Sequence, residues 1–205
     1  MSTGASCMDC NFAQYDALKN IAQARKSCRT FSARPLPEDL VQKVLDIAML
    51  SPYASGRKNW AVRTVSDSAT IANAADLVQT HCAALSADVR DDMRDAFKTY
   101  AANFVAFRTA PVLLVTEFRV VPALSLMTGG NQEIVRWERE NFIKSISCVS
   151  MLILLAAESL QLGACCMTGP LLVHDGLSRL FKVRESREIG ALIALGYKSQ
   201  ENNNG

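Results

Sequence analysis

The residues best suited to chemistry in this chain form one short basic segment, Arg25-Lys26-Ser27-Cys28-Arg29. Arg25, Ser27 and Arg29 alternate, so on an extended backbone their two guanidinium groups and one hydroxyl point to the same side. A phosphomonoester carries about −1.5 to −2 charges near neutral pH, and these groups are well suited to bind its oxygens. The spacing therefore predicts an anion-binding clamp, although solvated basic side chains at a helix end produce the same pattern.

The cysteines and histidines are weaker candidates for chemistry. Seven cysteines without regular spacing argue against a disulfide framework and favour a reducing compartment. Cys7 and Cys10 form a CxxC motif without a second ligand pair, which favours a flexible tail over a metal site and leaves a redox role open. The pair Cys165-Cys166 is interpreted as buried small hydrophobic residues. His81 and His174 are interpreted as surface or packing residues without a catalytic role.

Composition narrows the class of partner. The 205 residues suit a single domain, and the net charge of +2 arises from interspersed acids and bases. This balance argues against nucleic acid and membrane surfaces as partners and favours a small molecule. The first six residues carry neither the basic nor the apolar part of a secretory signal, which predicts a cytoplasmic protein. The apolar run at 146–157 is too short to span a bilayer and predicts a helix buried in protein.

The elements that must position the basic segment follow from hydrophobic spacing. Leu18, Ile21 and Ala22 predict a first helix over 15–26, which ends in the clamp. A second helix begins after Pro37 and ends near Leu50. The predicted later elements are a turn-rich loop at 51–59, a strand at 60–65, a helix around 71–78, a long helix with an aromatic face at 89–107, a strand at 111–116, a loop at 119–132 able to cover a site, a long core helix at 137–162, a strand at 164–168, a short helix at 174–181 and a strand at 189–196. The domain is expected to span 15–198 between a flexible tail at 1–14 and a disordered one at 199–205.

Three segments taken in order resemble the nitroreductase family of flavin mononucleotide (FMN) enzymes. Arg25, Ser27 and Arg29, followed by Phe31, match the opening motif of the family. The segment 51–60 keeps both ends of its proline-serine loop, and the segment 156–170 matches its alanine-rich helix that ends in Leu-Gly before a strand and turn. The resemblance covers about residues 15 to 197, and the order of the three segments makes it specific.

The resemblance implies an α+β fold with a central, mostly antiparallel sheet flanked by helices, and a homodimer that binds FMN at its interface. It also implies roles for three groups of residues. The expected FMN-binding residues are Arg25, Lys26, Ser27 and Arg29 at the phosphate and ribityl chain, Pro52, Tyr53, Ala54 and Ser55 at the partner's flavin, and Met167, Thr168 and Gly169 beside the isoalloxazine. Gly169 suits a close approach of its N–H to the flavin N5 because it lacks a side chain. Its alternative interpretation is an ordinary turn glycine before Pro170.

The chain departs from the family pattern at two places. Gly56, Lys58 and Asn59 stand where many members have other residues in the second motif. Lys58 or Arg57 is a candidate to place positive charge near the flavin N1 and O2, with solvent exposure as the alternative. Lys198 is a poor substitute for the basic residue with which many members reach the phosphate, so phosphate binding is expected to rest on the clamp.

The implied activity is transfer of hydride from NAD(P)H, through the flavin N5, to a nitroaromatic, a quinone or a similar small acceptor in a ping-pong cycle. The sequence contains no Gly-x-Ser-x-Gly elbow, HExxH motif or Walker A loop, which agrees with chemistry performed by a cofactor. No catalytic side chain and no metal ligand is assigned. Two alternatives stay open: a specialised flavin enzyme of the same fold, dehalogenase-like or flavin-cleaving, and a flavin-binding redox sensor without turnover that uses Cys7 and Cys10.

Overall fold

A four-stranded antiparallel sheet forms the centre of the molecule. The structure, a computed structural model, describes residues 12–53 and 58–199. The strands are β1 (Trp60–Val65), β2 (Val112–Phe118), β3 (Gly163–Met167) and β4 (Glu188–Gly196), in the spatial order β1-β2-β4-β3. All three strand pairs are antiparallel, and a register shift interrupts the β2–β4 pair between Thr116 and Glu117. This confirms the predicted α+β class and the antiparallel sheet.

Helices cover both faces of the sheet. In chain order they are α1 (Ala13–Ala24), α2 (Glu38–Ala48), α3 (Ser68–Leu85), α4 (Arg94–Ala102), α5 (Ala123–Met127), α6 (Gln132–Ser159) and α7 (His174–Leu180). Three short 3₁₀ helices lie between them, at Asp91–Met93, Asn103–Thr109 and Gly169–Val173. Side chains cap the two longest helices: Asp67 accepts the N–H of Thr70 at 2.8 Å, and Asn131 accepts the N–H of Glu133 at 2.9 Å.

Strict alternation along the strands divides the core into two layers. Leu113 and Val115 of β2 pack with α3, the 3₁₀ segment after α4 and α7, whereas Val112 and Leu114 pack with α2 and α6. Successive side chains of a strand point to opposite faces, so a strand covered on both sides is mostly apolar. Every residue of β2 is buried, and its two polar residues have partners: the Thr116 hydroxyl donates to the Ala191 carbonyl at 3.2 Å, and Glu117 pairs with Arg63 at 2.7 Å.

Most predicted elements are confirmed with shifts of a few residues at their ends, and two predictions are wrong in part. The long helix predicted at 89–107 is broken into a 3₁₀ turn, α4 and a second 3₁₀ segment. The loop predicted at 119–132 contains α5, whose first turn the Glu138 carboxylate holds. The predicted tails lie mostly outside the described residues, but Ala13 and Gln14 belong to α1, and the Ser199 N–H donates to the Thr30 carbonyl at 3.3 Å.

Helix α6 is longer and less buried than predicted. Its 28 residues begin at Gln132, and it is the one helix of the described residues that is long and apolar enough to cross a membrane by length and composition. The apolar run at 146–157 is thus the middle of a longer helix, and core helices pass the same test of length and composition. One face of α6, which includes Phe142, Ile146 and Ile153, packs on the sheet as a core helix does. The opposite face leaves Ile143 and Met151 exposed, so the helix predicted to be buried in protein is buried on one face only in the single chain.

Candidate functional site

The clamp lies in extended backbone directly after α1. The helix ends at Ala24, Arg25 has φ −58° and ψ 118°, and Ser27 forms a parallel bridge with Ala164 of β3. The Cys28 N–H donates to the Ala164 carbonyl at 3.0 Å, and the Cys28 side chain is buried, whereas Ser27 and Arg29 are exposed. The predicted alternation is therefore present, with Cys28 turned to the core and its neighbours turned outward.

The Cys165 thiol of β3 lies close enough to the clamp for its three side chains to affect it. Burial raises the pKa of this thiol, and the guanidinium groups of Arg29 and Arg25 and a hydrogen bond from Ser27 act in the opposite direction. All three side chains predicted to bind phosphate thus lie around one buried sulfur of β3. No ion pair or side-chain hydrogen bond to another group neutralises Arg25, Lys26 or Arg29 within 12–53 and 58–199.

The clamp rests closely on β3 because Gly163 has no side chain. A Cβ atom at Gly163 would lie 2.6 Å from the Cys28 Sγ and 2.9 Å from its Cβ, which real structures do not tolerate without movement. Beside this contact, Lys198 is paired with Glu158, with Nζ 2.9 Å from one carboxylate oxygen and 3.0 Å from the other. The Lys198 ammonium is therefore paired within its own chain, and its unsuitability as a phosphate ligand stays a prediction.

The turn predicted to lie beside the flavin ring follows β3. Met167 is buried in the core, Thr168 is exposed, and Gly169 begins a 3₁₀ helix. A Cβ atom at Gly169 would lie 2.4 Å from Cδ1 of Phe104, so the neighbour that requires glycine in this structure is an aromatic ring of the same chain. The approach of the Gly169 N–H to the flavin N5 stays a prediction.

The described part of the second motif is exposed after Ser51. Ser51 is buried, but Pro52 and Tyr53 are exposed, and the Tyr53 side chain has 43% of its surface accessible. Ala54 and Ser55 lie outside the described residues, as does Arg57. Lys58 places its ammonium 4.4 Å from the centre of the Trp60 ring and 2.8 Å from the Met49 sulfur, within its own chain. Its proposed contact with the flavin stays a prediction.

The segment that contains α5 lies beside this loop. Asn59 accepts the Arg119 N–H with its carbonyl at 2.8 Å and donates its side-chain amide to the Arg119 carbonyl at 3.2 Å. The buried Glu138 carboxylate accepts the N–H groups of Leu124 and Ser125 at 2.6 and 3.2 Å. A hydrogen bond from the Ser125 side chain contributes most to lowering the pKa of this carboxyl. The segment is thus held at Arg119 and at Leu124 and Ser125. The sequence predicts a loop able to cover a site here, but not the helix α5 or its bonds to Glu138.

The described residues fit FMN. The clamp contacts β3 at Ala164, and the turn begins at Met167, three residues farther along the same strand, which corresponds to about 10 Å. FMN has a phosphate and a flat ring joined by a five-carbon chain, so an anion clamp and a turn with an exposed backbone at this separation suit it. The uncompensated charge at Arg25, Lys26 and Arg29 further favours a dianionic group.

The described cysteines and histidines that the sequence analysis considered have no evident catalytic role in the structure. Burial raises the pKa of the Cys28, Cys165 and Cys166 thiols, which keeps them protonated and unreactive near neutral pH. The ring nitrogen Nε2 of His174 accepts the Ile189 N–H at 3.3 Å and thereby fixes the start of β4 to that of α7. His81 is exposed on α3. Cys7 and Cys10 lie outside the described residues, and no cluster able to hold a metal ion occurs among the described ones.

Comparison with known proteins agrees with this arrangement. The family model described as "Nitroreductase family" matches residues 22–197. The Bacillus subtilis (strain 168) protein named "Putative NAD(P)H nitroreductase YfhC" is 24% identical over 187 residues, which are 91% of this chain and 87% of that protein.

Three solved structures show the same fold at lower identity. A BluB-like flavoprotein from Clostridium difficile 630 has a TM-score of 0.79 and 19% identity, over 89% of this chain and 90% of that one. An oxidised iodotyrosine deiodinase bound to FMN and 3-iodo-L-tyrosine has a TM-score of 0.70 and 17% identity, over 89% and 90%. A nitroreductase with bound FMN from Desulfitobacterium hafniense DCB-2 has a TM-score of 0.66 and 17% identity, over 89% and 89%. Since the family model matches residues 22–197, the chain belongs to the nitroreductase family of FMN-dependent oxidoreductases.

Proposed function

We propose that this protein takes hydride from NAD(P)H and passes it to a small acceptor, a nitroaromatic or a quinone, in two successive half-reactions. The observation that supports this most directly is the clamp, in which Arg25, Ser27 and Arg29 converge on Cys165 without a counter-charge among the described residues. Bound FMN would supply the chemistry by accepting and releasing hydride at its N5 atom. The chain would then contribute binding, orientation and charge.

Each part of the proposed site has a defined task. Arg25 and Arg29 offer paired N–H donors to phosphate oxygens, and the Ser27 hydroxyl offers a further one. Thr168 is exposed and Gly169 is partly buried at the turn that the family resemblance assigns to the ring, and the adjacent Phe104 fills the space that a side chain at Gly169 would need. The raised thiol pKa of Cys165 keeps the floor of the clamp neutral, so no thiolate competes with the phosphate for the guanidinium groups.

A second copy of the chain is proposed to complete the site. Helix α1 has no buried residue. Three large apolar side chains on it or just before it, those of Phe12, Tyr15 and Leu18, are each more than half exposed. The outer face of α6 exposes Trp137 and Met151 in the same way. Apolar surface of this extent is typical of an interface, and the exposed Pro52 and Tyr53 would then reach the partner's flavin. Light scattering of the flavin-loaded protein is expected to give the mass of a dimer.

A visible absorption spectrum of the purified protein, recorded before and after anaerobic addition of NADPH and then NADH, tests the proposal. A flavin band that bleaches supports a flavin hydride acceptor, and reoxidation by a nitroaromatic or quinone completes the cycle. A flavin band that persists with both nucleotides would contradict the proposed donor and favour the sensor alternative. Absence of flavin after reconstitution would contradict FMN binding by the clamp. The R25Q/R29Q variant, which lacks both clamp guanidinium groups, is the control for weak FMN binding.

A second candidate is a specialised flavin enzyme of the same fold. Segment 119–127, which Asn59 and Glu138 hold in place, favours this candidate. Such an enzyme needs a dedicated cover over its substrate, and this segment could provide it. Leu126 and Met127 expose 76% and 81% of their surface at the tip of that segment, which suits a less polar substrate. Steady-state oxidation of NAD(P)H with nitroaromatic, quinone and halophenol acceptors separates the two candidates, since broad turnover supports the first and strong preference for one class supports the second.

A further inference from the structure

A second basic cluster lies outside the proposed flavin site, between α7 and the start of β4. A cleft of about 460 Å³ opens there, and Arg179 of α7 and Lys182, Arg184 and Arg187 of the following loop line it together with Ser178. We refer to these five residues as the α7 pocket. Neither the sequence motifs nor the family resemblance assigns a role to any of them.

The charge of the α7 pocket is not neutralised. Two carboxylates, Asp175 and Glu185, also line the cleft, but neither forms an ion pair with a pocket cation among the described residues. Asp175 instead lies 3.4 Å from Nδ1 of His174. Glu188, next along the chain, is bound by Arg139, with 2.6 Å from Nη2 to the nearer oxygen. The local balance of four cations against two acids therefore leaves net positive charge.

Two buried polar atoms of the α7 pocket lack a partner. The Ser178 hydroxyl oxygen and the Arg187 Nη1 are both shielded from solvent and hydrogen-bonded to nothing in the structure. A buried hydroxyl or guanidinium N–H without an acceptor is costly, so native proteins almost always satisfy such groups. Both residues line the cationic cleft, so a rotation of either side chain toward it would give its donor an acceptor on a bound anion.

We propose that the α7 pocket binds a phosphate group, either a phosphomonoester or inorganic phosphate. A phosphate offers several acceptor oxygens and two negative charges, which match the unpaired donors of Ser178 and Arg187 and the charges of Arg179, Lys182 and Arg184. A carboxylate offers fewer oxygens and one charge, and it would leave more of the donors unsatisfied. The site does not depend on the flavin proposal, because it shares no residue with the clamp.

The surroundings of the pocket suggest how a larger ligand would lie. A wider groove of about 900 Å³ between α3 and α7 shares His174, Asp175 and Arg179 with the cleft. Its other lining residues include apolar ones, such as Leu77 and Leu172, and polar ones, such as Asp76 and His81. A phosphorylated molecule could place its phosphate in the pocket and its less polar part in the groove. The phosphate carried by NADPH and absent from NADH is one source, and a free phosphorylated metabolite or inorganic phosphate is the other.

Calorimetric titration with inorganic phosphate tests the site in two forms of the protein. The first is the FMN-loaded protein, and the second is the R25Q/R29Q variant, in which the clamp cannot contribute phosphate binding. Saturable binding of one phosphate per chain is expected in both. R187Q and R184Q in the same backgrounds are each expected to weaken it about tenfold or more, since hydrogen bonds to charged groups are the strong ones. S178A, which removes one neutral donor, is expected to weaken it less.

The matched control is R90Q, which removes an exposed guanidinium paired with Asp92 outside the pocket and is expected to leave binding unchanged. Circular dichroism of each variant shows that it is folded, and R184Q is informative even if R187Q is not, because Arg184 is exposed. Absence of saturable phosphate binding to the R25Q/R29Q protein, or equal weakening by R90Q and R184Q, would overturn the proposal. Displacement of phosphate by NADP⁺ but not NAD⁺ identifies the nucleotide source, and displacement by neither identifies the free anion.

Discussion

The clamp and the α7 pocket are both clusters of cations without counter-charges, but they are built in opposite ways. Arg25, Ser27 and Arg29 alternate within five consecutive residues, and one short extended segment holds them near the Cys165 thiol of β3. The α7 pocket collects residues from a helix and a loop, and it holds buried donors that lack acceptors. The geometry of the clamp depends on one extended segment and its contact with β3. The geometry of the α7 pocket depends on how a helix and a loop pack together. Four experiments test this difference, beginning with the largest expected effect.

Loss of the clamp arginines is expected to have the largest effect on FMN. Each guanidinium that binds phosphate contributes about 1.5–3 kcal/mol, so R25Q or R29Q alone should raise the dissociation constant of FMN about 10- to 100-fold. The double variant should raise it further. Fluorescence titration of apoprotein with FMN measures these constants. The controls are R90Q and R184Q, which each remove one positive charge outside the clamp. If R184Q weakens FMN as strongly as R29Q does, the two clusters do not act separately.

Added methyl groups should act differently in the two regions. Gly163→Ala forces a Cβ atom to within 2.6 Å of the Cys28 sulfur and is expected to lower the free energy of unfolding by about 1–3 kcal/mol. It should also weaken FMN binding, because it displaces the segment that carries the clamp. Gly176→Ala in α7 is the matched control. Its Cβ would lie no closer than 3.7 Å to Leu77, and the better helix propensity of alanine should raise stability by about 0.5–1 kcal/mol. Urea unfolding of both variants gives the comparison, and equal losses would show that close packing at Gly163 is not the cause.

Alkaline pH should destabilise the protein at the clamp. Burial raises the native pKa of the Cys165 thiol above its ordinary value of 9.0, so the unfolded chain loses this proton first. Stability is therefore complete below pH 9 and declines as the pH rises from there through the raised native pKa. The net shift of this pKa includes the groups near the thiol: Arg29, Ser27 and Arg25 lower it, and Cys28 raises it, but burial has the largest effect.

Urea unfolding between pH 7 and pH 10 measures that decline. Cys165→Ala is expected to make it shallower, and Cys148→Ala, at an exposed position of α6, is expected to leave it unchanged. An identical decline in wild type and Cys165→Ala would mean that this thiol does not titrate differently on unfolding.

The smallest effect is expected at the α7 pocket without its ligand. Arg184→Gln relieves repulsion among four neighbouring cations and should raise the free energy of unfolding by about 0.2–0.5 kcal/mol at low salt. Salt screens this repulsion, so the gain should vanish at about 1 M ionic strength. Added phosphate should reverse the order of the two proteins by stabilising wild type more than the variant. A variant that is less stable than wild type at every salt and phosphate concentration would argue that Arg184 makes a stabilising contact in the free protein.

Local patterns predicted most of the fold correctly. Strand β1 and the helices α2 and α7 have apolar spacing and end signals that neighbouring residues alone determine. The helix predicted at 89–107 failed because spacing does not report where a chain must turn, and the aromatic side chains at Phe104 and Phe107 lie in a 3₁₀ segment that packs into the core. Segment 119–132 was predicted to be a loop because the Glu138 carboxylate, which accepts the N–H groups of Leu124 and Ser125, belongs to a different helix.

The sequence by itself determined the clamp and the family. Alternation of Arg25, Ser27 and Arg29 after a helical stripe requires only that the backbone be extended, which local geometry decides. Tertiary structure decided three further contacts: the clamp packs on β3, Lys198 forms an ion pair with Glu158, and Phe104 occupies the space beside Gly169. It also decided the α7 pocket, because only packing brings the Ser178 hydroxyl and the Arg187 guanidinium to one cleft and buries both without an acceptor. Long-range contacts of this kind depend on the path of the whole chain, and no spacing within one segment records them.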